Sequence, residues 1–422
     1  MSLSQPTLAT PVSLPPRAPA AARVVTRLVS ALAHGSLDVQ WPDGTSAHFG
    51  APGQAPRVAI RLRNWNVCSA ALRSGDIGFA ESYIAGDWST PDLSALIRLF
   101  IANREAVERV FYGSFWGALA YRLKRLLHRN SRRGSRKNVH AHYDLGNAFY
   151  RLWLDESMSY SSAWFAGAAV GEGDASDDAC MEAGQRAKMR RALDEAGVGP
   201  GTRLLEIGCG WGALAHLAAG ERGAQVTGVT LSTEQLEYAR GRIERAGLRP
   251  HCDLRLADYR SIDDGPYDAV VSIEMFEAVG REYWGRYFAT LARCLRPGGR
   301  ACVQTITIRD DLFERYVRST DFIQQYIFPG GMLPSTEAIM SITERHTRLR
   351  TVDMYSLRPH YAETLRLWRQ RFVERRDAVA ALGFDEVFHR MWWLYLAYSE
   401  AGFESGYLDV YQWTFAPTGS GR

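Results

Sequence analysis

From Arg203 to Ala224 the chain reads RLLEIGCGWGALAHLAAGERGA. An apolar run closes on an acid, Glu206, and Gly208, Gly210 and Gly212 follow before apolar residues recur at helical spacing. A glycine turn that leaves a strand and opens a helix constrains the fold tightly, because such units bury their apolar faces only by stacking side by side. The residues that follow keep the alternation. AQVTGVTLS reads as a strand, TEQLEYARGRIERAG as a helix, CDLRLAD and YDAVVSIEM as strands, and REYWGRYFATLARCL as a helix. RPGG then reads as a turn into a strand, RACVQTITI. This pattern predicts an α/β domain built on a parallel, doubly wound sheet. The tail GYLDVYQWTFA alternates like one more strand, expected at the sheet edge.

The N-terminal part has a different texture. Residues 1–21 are rich in Pro, Ala and Ser without an apolar core segment, so a disordered lead is expected there rather than a signal peptide. Residues 22–106 mix short strand patterns (LDVQWPDG, SAHFG, VAIRLRN) with helical ones (GFAESYIAGDW, LSALIRLFIANREA) and predict a small α+β domain. Residues 107–137 combine an amphipathic, aromatic-rich helix pattern with a basic run. Arg122, Lys124, Arg125, Arg129, Arg132, Arg133, Arg136 and Lys137 occur there with no acid among them. Such a segment suits an anionic membrane surface, with Phe111, Phe115, Trp116 and Tyr121 on the apolar side. The bland alternative is a solvated linker. The run is short and lacks a nucleic-acid motif, so no nucleic-acid partner is expected. Residues 138–422 form the expected catalytic domain.

Net charge is only +4, so no strong global field is implied. The six cysteines form no C-x-x-C pair and have no histidine cluster beside them, which argues against a disulfide scaffold and against structural zinc. No apolar run reaches the roughly 18 residues needed to span a bilayer. A cytoplasmic protein without a metal is expected.

The glycine spacing narrows the ligand. A dinucleotide loop needs G-x-G-x-x-G/A, whereas this loop is G-C-G-W-G-A with Glu206 two residues before its first glycine. Acid-x-G-x-G-x-G is typical of S-adenosylmethionine sites. Glu206 is expected to hold the amino end of that cofactor. The backbone around Gly208, Cys209, Gly210, Trp211 and Gly212 is expected to hold its carboxylate. Asp258 and Tyr259, ending the third strand, fit the adenine. The second strand lacks the usual terminal acid, which leaves Thr230, Leu231, Ser232 and Gln235 to meet the ribose. A Rossmann-like site for another nucleotide is the alternative. Glu277, just past the fourth strand, is the leading candidate for catalysis, with Glu274 close by.

HYDLGNAFYRLWLDESMSYSSAWF, LEIGCGWGALA, GVTLSTEQ, EMFEAVG, FIQQYIFPGGMLPS and HYAETLRLW occur in that order. Together they resemble the cyclopropane-fatty-acyl-phospholipid synthase family, which includes the mycolic acid cyclopropane synthases. The resemblance covers about residues 135–415 and extends more loosely to the N-terminal domain. It implies a Rossmann-like class I methyltransferase sheet with a helical lipid-channel cap, preceded by the smaller α+β domain. It implies S-adenosylmethionine as methyl donor and a cis-unsaturated phospholipid acyl chain as substrate. The product would be a cyclopropane, formed through a carbocation deprotonated by bound bicarbonate. The positions matching the bicarbonate ligands are Ser162, Glu277, Gln304, the Ile306 amide and Tyr361. Tyr160 and Ser161 match the segment that closes over the cofactor. Ser162 stands where Cys is usual and Gln304 where His is common. Both residues donate hydrogen bonds, yet the change bears on how a base is held, and a methyl or methylene branch is the alternative product. The family includes dimers, and its substrates imply work at the inner face of the membrane.

A cation on a lipid chain needs a dry pocket lined by π-faces. Tyr160 and Trp164 are candidates, with Phe313, Tyr316, Phe322, Tyr326, Phe328 and Met332 from a long segment read as a helical cap. That cap disfavours a small-molecule N- or O-methyltransferase. A lipid-binding protein without catalysis is a further reading, opposed by the intact glycine loop and Glu277.

Overall fold

The computed structural model describes residues 14–51, 54–105, 145–165 and 178–418. The chain divides into two units, Met1–Leu119 and Ala120–Arg422. The basic segment 107–137 lies outside the described residues apart from its place in that division.

The first unit runs α1 (Ala20–Val29), β1 (Ser36–Gln40), β2 (Ser46–Gly50), β3 (Arg57–Leu62), α2 (Asn66–Ile84), β4 (Trp88–Ser89) and α3 (Leu93–Ala102). Helix α1 begins inside the segment read as a lead. The sheet order is β2-β1-β3-β4. Strict alternation along β3 turns Val58, Ile60 and Leu62 inward. Trp88 is fully buried against Phe79, and its indole donates to Ser82 Oγ at 2.9 Å.

The second unit opens with α4 (Asn147–Tyr150), α5 (Asp178–Glu195), β5 (Arg203–Ile207), α6 (Ala213–Arg222), β6 (Gln225–Thr230) and α7 (Thr233–Arg245). It continues with β7 (Cys252–Leu256), β8 (Tyr267–Ile273), α8 (Trp284–Cys294), β9 (Leu295–Ile308) and α9 (Asp310–Arg318). It closes with α10 (Thr336–His346), β10 (Leu349–Ser356), α11 (Arg358–Glu374), α12 (Arg376–Ala381), α13 (Glu386–Glu404) and β11 (Leu408–Pro417). Its sheet has the order β10-β11-β9-β8-β5-β6-β7. Strands β5 to β9 are parallel, and β11 is antiparallel to both neighbours.

Two sequence readings change here. RPGG is no turn before β9 but a bulge within it: Tyr267 faces Leu295 while Ala269 faces Arg300. Gly298, at φ +80°, takes the left-handed backbone that lets the surplus residues loop out. The tail strand β11 is not the edge. The strand β10 pairs outside it, so β11 is covered on both sides and Trp413, Thr414 and Phe415 are fully buried.

Helices cover both faces of the sheet. One face packs Trp284, Phe288 and Leu291 of α8 and Ile339 of α10 against β8, β9 and β11. The other packs Leu193 of α5, Leu214 and Ala218 of α6 and Ala239 of α7 against β5 and β6. A third cluster is aromatic. Phe149 of α4 touches the rings of Trp153, Phe372, Phe384, Phe388 and Trp392, tying the 147–165 segment to α11 and α13. Each such buried side chain contributes about 1.5–3 kcal/mol.

Candidate active site

A cavity opens where the ends of β5, β6, β7 and β8 meet the loop 158–161. This is the carboxyl end of the parallel strands, the general ligand position of open α/β sheets. Its wall includes Tyr160, Ser161, Glu206, Gly208, Cys209, Gly210, Trp211, Thr230, Leu231, Gln235, Asp258 and Tyr259. Gly212 and Ser232, expected among the cofactor contacts, stand behind that wall. Gly212, at φ +79°, opens α6 with only 2.8 Å between its would-be Cβ and Ala239 Cβ. Ser232 caps α7 by accepting from Gln235 N at 3.2 Å.

The residues present fit S-adenosylmethionine. Gly208 and Gly210 have φ of +87° and +48°, and nothing lies within 4 Å of a Cβ built on Gly210, so a ligand can approach the loop backbone. Glu206 is buried beneath the loop. Its Oε2 has no hydrogen-bond partner among the described residues, the partner a ligand ammonium would supply. Burial pushes this carboxyl up to about 8, against the pull of the Ala215 backbone and Lys188. Tyr259 has a buried hydroxyl on the same wall with no partner among the described residues. Asp258 is bound to Arg260, which donates from its backbone N at 2.9 Å and from Nε at 2.8 Å. Trp211 is fixed by donating from Nε1 to Asn147 Oδ1 at 2.6 Å.

The expected bicarbonate ligands are brought close together, but not around an open space. Ser162 N donates to Glu274 Oε1 at 2.8 Å, Gln304 Nε2 to the same oxygen at 2.7 Å, and Tyr361 OH to Glu274 Oε2 at 2.7 Å. The Ile306 amide donates to Glu277 Oε1 at 2.5 Å and Thr305 Oγ1 to that oxygen at 3.0 Å. The Ser162 hydroxyl turns away and donates to the Ala163 carbonyl at 2.8 Å, so this residue works through its backbone. Glu274 thus engages three of the five expected groups and Glu277 a fourth, the Ile306 amide, and these residues do not fit a bicarbonate ion. None of Ser162, Glu277, Gln304, Ile306 and Tyr361 reaches the cavity wall, whereas Glu274 does.

Lys188 is a functional candidate that sequence reasoning passed over, and Glu274 one that it placed only beside Glu277. Glu274 sits at φ +47°, a strained backbone for a non-glycine residue. Burial raises its pKa, against Lys188 and the three donors. Burial and the Glu274 charge likewise raise Glu277, whose Oε2 has no partner among the described residues. Lys188 is buried on the same wall and donates to Ser161 Oγ. Burial pulls it down to about 8, against Glu274, Asp155 and Glu206. A stripe of Met181, Gln185, Lys188 and Ala192 at helical spacing carries Lys188 inward.

The aromatic residues divide. Tyr160 has ring neighbours Tyr150 at 5.7 Å, Trp153 at 5.4 Å, Trp368 at 5.5 Å and Phe328 at 6.4 Å. Phe322 and Tyr326 pack on each other, and Phe322 on Tyr398. Phe313, Tyr316 and Met332 belong instead to the core under α8, and Trp164 packs against Tyr355 of β10.

A family model for mycolic acid cyclopropane synthetase matches residues 130–413. The chain belongs to this family. It is 47% identical over 406 residues, 96% of this chain and 93% of the relative, to a tuberculostearic acid methyltransferase of Mycobacterium tuberculosis. It is 32% identical over 365 residues, 86% of this chain and 89% of the relative, to the cyclopropane-fatty-acyl-phospholipid synthase of Escherichia coli. Among solved structures, a mycolic acid cyclopropane synthase complexed with SAH and CTAB superposes with a TM-score of 0.59 at 33% identity, covering 66% of this chain and 97% of that one. As a mycolic acid cyclopropane synthetase family member, the protein is an S-adenosylmethionine-dependent methyltransferase with the class I fold. No helix among the described residues is long and apolar enough to cross a membrane.

Proposed function

We infer that the protein methylates the cis double bond of an unsaturated phospholipid acyl chain and releases a chain carrying a methylene branch. The 47% identity to a tuberculostearic acid methyltransferase spans nearly the whole of both chains, and that relative is named for methyl transfer rather than for cyclopropane formation. The structural observation behind an alkene substrate is the site itself: the Tyr160 ring, backed by Trp153 and Trp368, and a buried, hydrogen-bonded carboxylate, Glu274, share one cavity wall. A ring-closed product is the second reading, favoured by the Escherichia coli relative.

S-adenosylmethionine supplies an electrophilic methyl. The alkene π-pair forms the new carbon–carbon bond and leaves a cation on the neighbouring carbon. For a branch, a hydride moves from the methylated carbon to that cation. A proton then leaves the new methyl, and the chain has gained one CH2. The Tyr160 ring on the cavity wall stabilises the cation without attacking it, by about 0.5–2 kcal/mol. Burial keeps water, which would quench the cation, away. The basic segment 107–137 is read as the membrane-docking element, on sequence grounds. Bicarbonate is no part of this reading, because its expected donors are engaged by Glu274 and Glu277.

The test is release of adenosylhomocysteine with vesicles of cis-monounsaturated phospholipid, compared with fully saturated vesicles. Release with the unsaturated lipid alone supports alkene methylation. Equal release with both, or release driven by small amines, contradicts it.

A further inference from the structure

We propose that Glu274 is the base that takes the proton from the cationic chain, a carboxylate built into the protein where a diffusible anion would otherwise be held. This rests on the alkene-methylation reading. Three carboxylates line the cavity: Glu206, Asp258 and Glu274. Asp258 is neutralised by Arg260. Glu206 lies under the glycine loop, where the cofactor's ammonium is expected. Glu274 remains, and the fold goes to some trouble to hold it. Its donors come from three separate elements: Ser162 N from the 158–165 loop, Gln304 from β9 and Tyr361 from α11. Its backbone is held at φ +47° by its own N–H, which donates to the Gln304 carbonyl at 2.8 Å. A strained residue fixed from several sides is what positioned chemistry requires.

Donors to both oxygens favour the ionised form, and Lys188 adds a compensating charge on the same wall. Glu274 accepts from three donors and Glu277 from two, so the geometry favours the anion at Glu274. The step is balanced. A C–H bond of the cation breaks, its electron pair becomes the new π-bond, and the proton goes to a Glu274 oxygen, leaving a neutral chain and a carboxylic acid. Ser162, Gln304 and Tyr361 act as positioning residues, since they reach the chemistry through Glu274.

Two measurements test this. The first needs no substrate: bicarbonate is titrated calorimetrically into the adenosylhomocysteine complex. Wild type shows no binding, and Glu274→Gly, which vacates the donors, binds the ion. Binding by wild type overturns the proposal whatever the substrate. The second is turnover on unsaturated phospholipid vesicles in carbonate-free buffer. Wild type is unaffected by added bicarbonate. Glu274→Gln keeps its melting temperature and cofactor affinity but loses about a hundred- to ten-thousand-fold in kcat. Glu274→Gly loses as much and recovers with added bicarbonate or formate. Wild type that stalls without bicarbonate, or a Glu274→Gln enzyme with normal kcat, overturns the proposal. A wild type inactive on every unsaturated lipid refutes the functional reading instead, and the calorimetric result still decides the role of the site.

Discussion

Gln412 lies opposite Gln304 across β11 and β9, and its Nε2 donates to Gln304 Oε1 at 3.0 Å. Arg191 Nη1 in turn donates to Gln412 Oε1 at 2.8 Å. The chain of bonds has one polarity. It presents the Gln304 NH2, rather than its carbonyl, to Glu274. Gln412→Leu removes that constraint and leaves a buried amide oxygen without a donor, a cost of about 1–3 kcal/mol. The expected outcome is a roughly tenfold fall in kcat with adenosylhomocysteine affinity unchanged, read by steady-state kinetics beside calorimetry. Unchanged kcat means the Gln304 amide is fixed by other means.

Gly208 carries the close approach of loop to ligand. A methyl there meets Met275 Cγ at 2.8 Å and is forced to φ +87°. Gly208→Ala is expected to weaken adenosylhomocysteine binding at least tenfold, since the left-handed backbone alone costs a side chain about 1–2 kcal/mol. Calorimetry checks this, and wild-type affinity shows that the loop tolerates the shift.

Glu206 makes stability pH-dependent. Its folded value, about 8, lies above its ordinary value of 4.5, so between these the native state holds a proton that the unfolded state has released. Stability from this group is therefore intact below pH 4.5 and lost as pH rises toward about 8. Apo protein is expected to melt lower at about pH 8 than at about pH 5.5, with a smaller difference in Glu206→Gln. Thermal scans of both proteins at the two pH values check it; identical differences refute the assignment.

The fold was largely legible because its constraints are local. Strand–glycine–helix units repeat from Arg203 onward, and each buries an apolar face that sequence periodicity reveals. The β9 bulge was hidden because RPGG is equally good turn chemistry. The place of β11 was hidden because β10 joins by long-range pairing. At the site, the motif-matched residues lie close together, but their orientation was not legible. Thr230, Ser232 and Gln235 bond to one another at the start of α7. Ser162 uses its N–H rather than its hydroxyl. Glu274 stood beside Glu277 in IEMFEAVG, and only the tertiary arrangement separates an acid on the cavity wall from one behind it.

Phe149 anchors the segment that carries Tyr160 and Ser162 to α11 and α13, and it is fully buried. Phe149→Ala is expected to destabilise the protein by about 3–5 kcal/mol through lost burial and the cavity left behind. Urea unfolding measures this; a loss under 1 kcal/mol would show that the aromatic cluster refills the space.

The most direct test is NMR of acyl chains recovered after incubation with S-adenosylmethionine and cis-monounsaturated phospholipid vesicles. Chains one CH2 heavier that show the protons of a terminal methylene branch are the expected result. Chains that instead show upfield ring protons, or that return with no mass gain, contradict the proposed reaction.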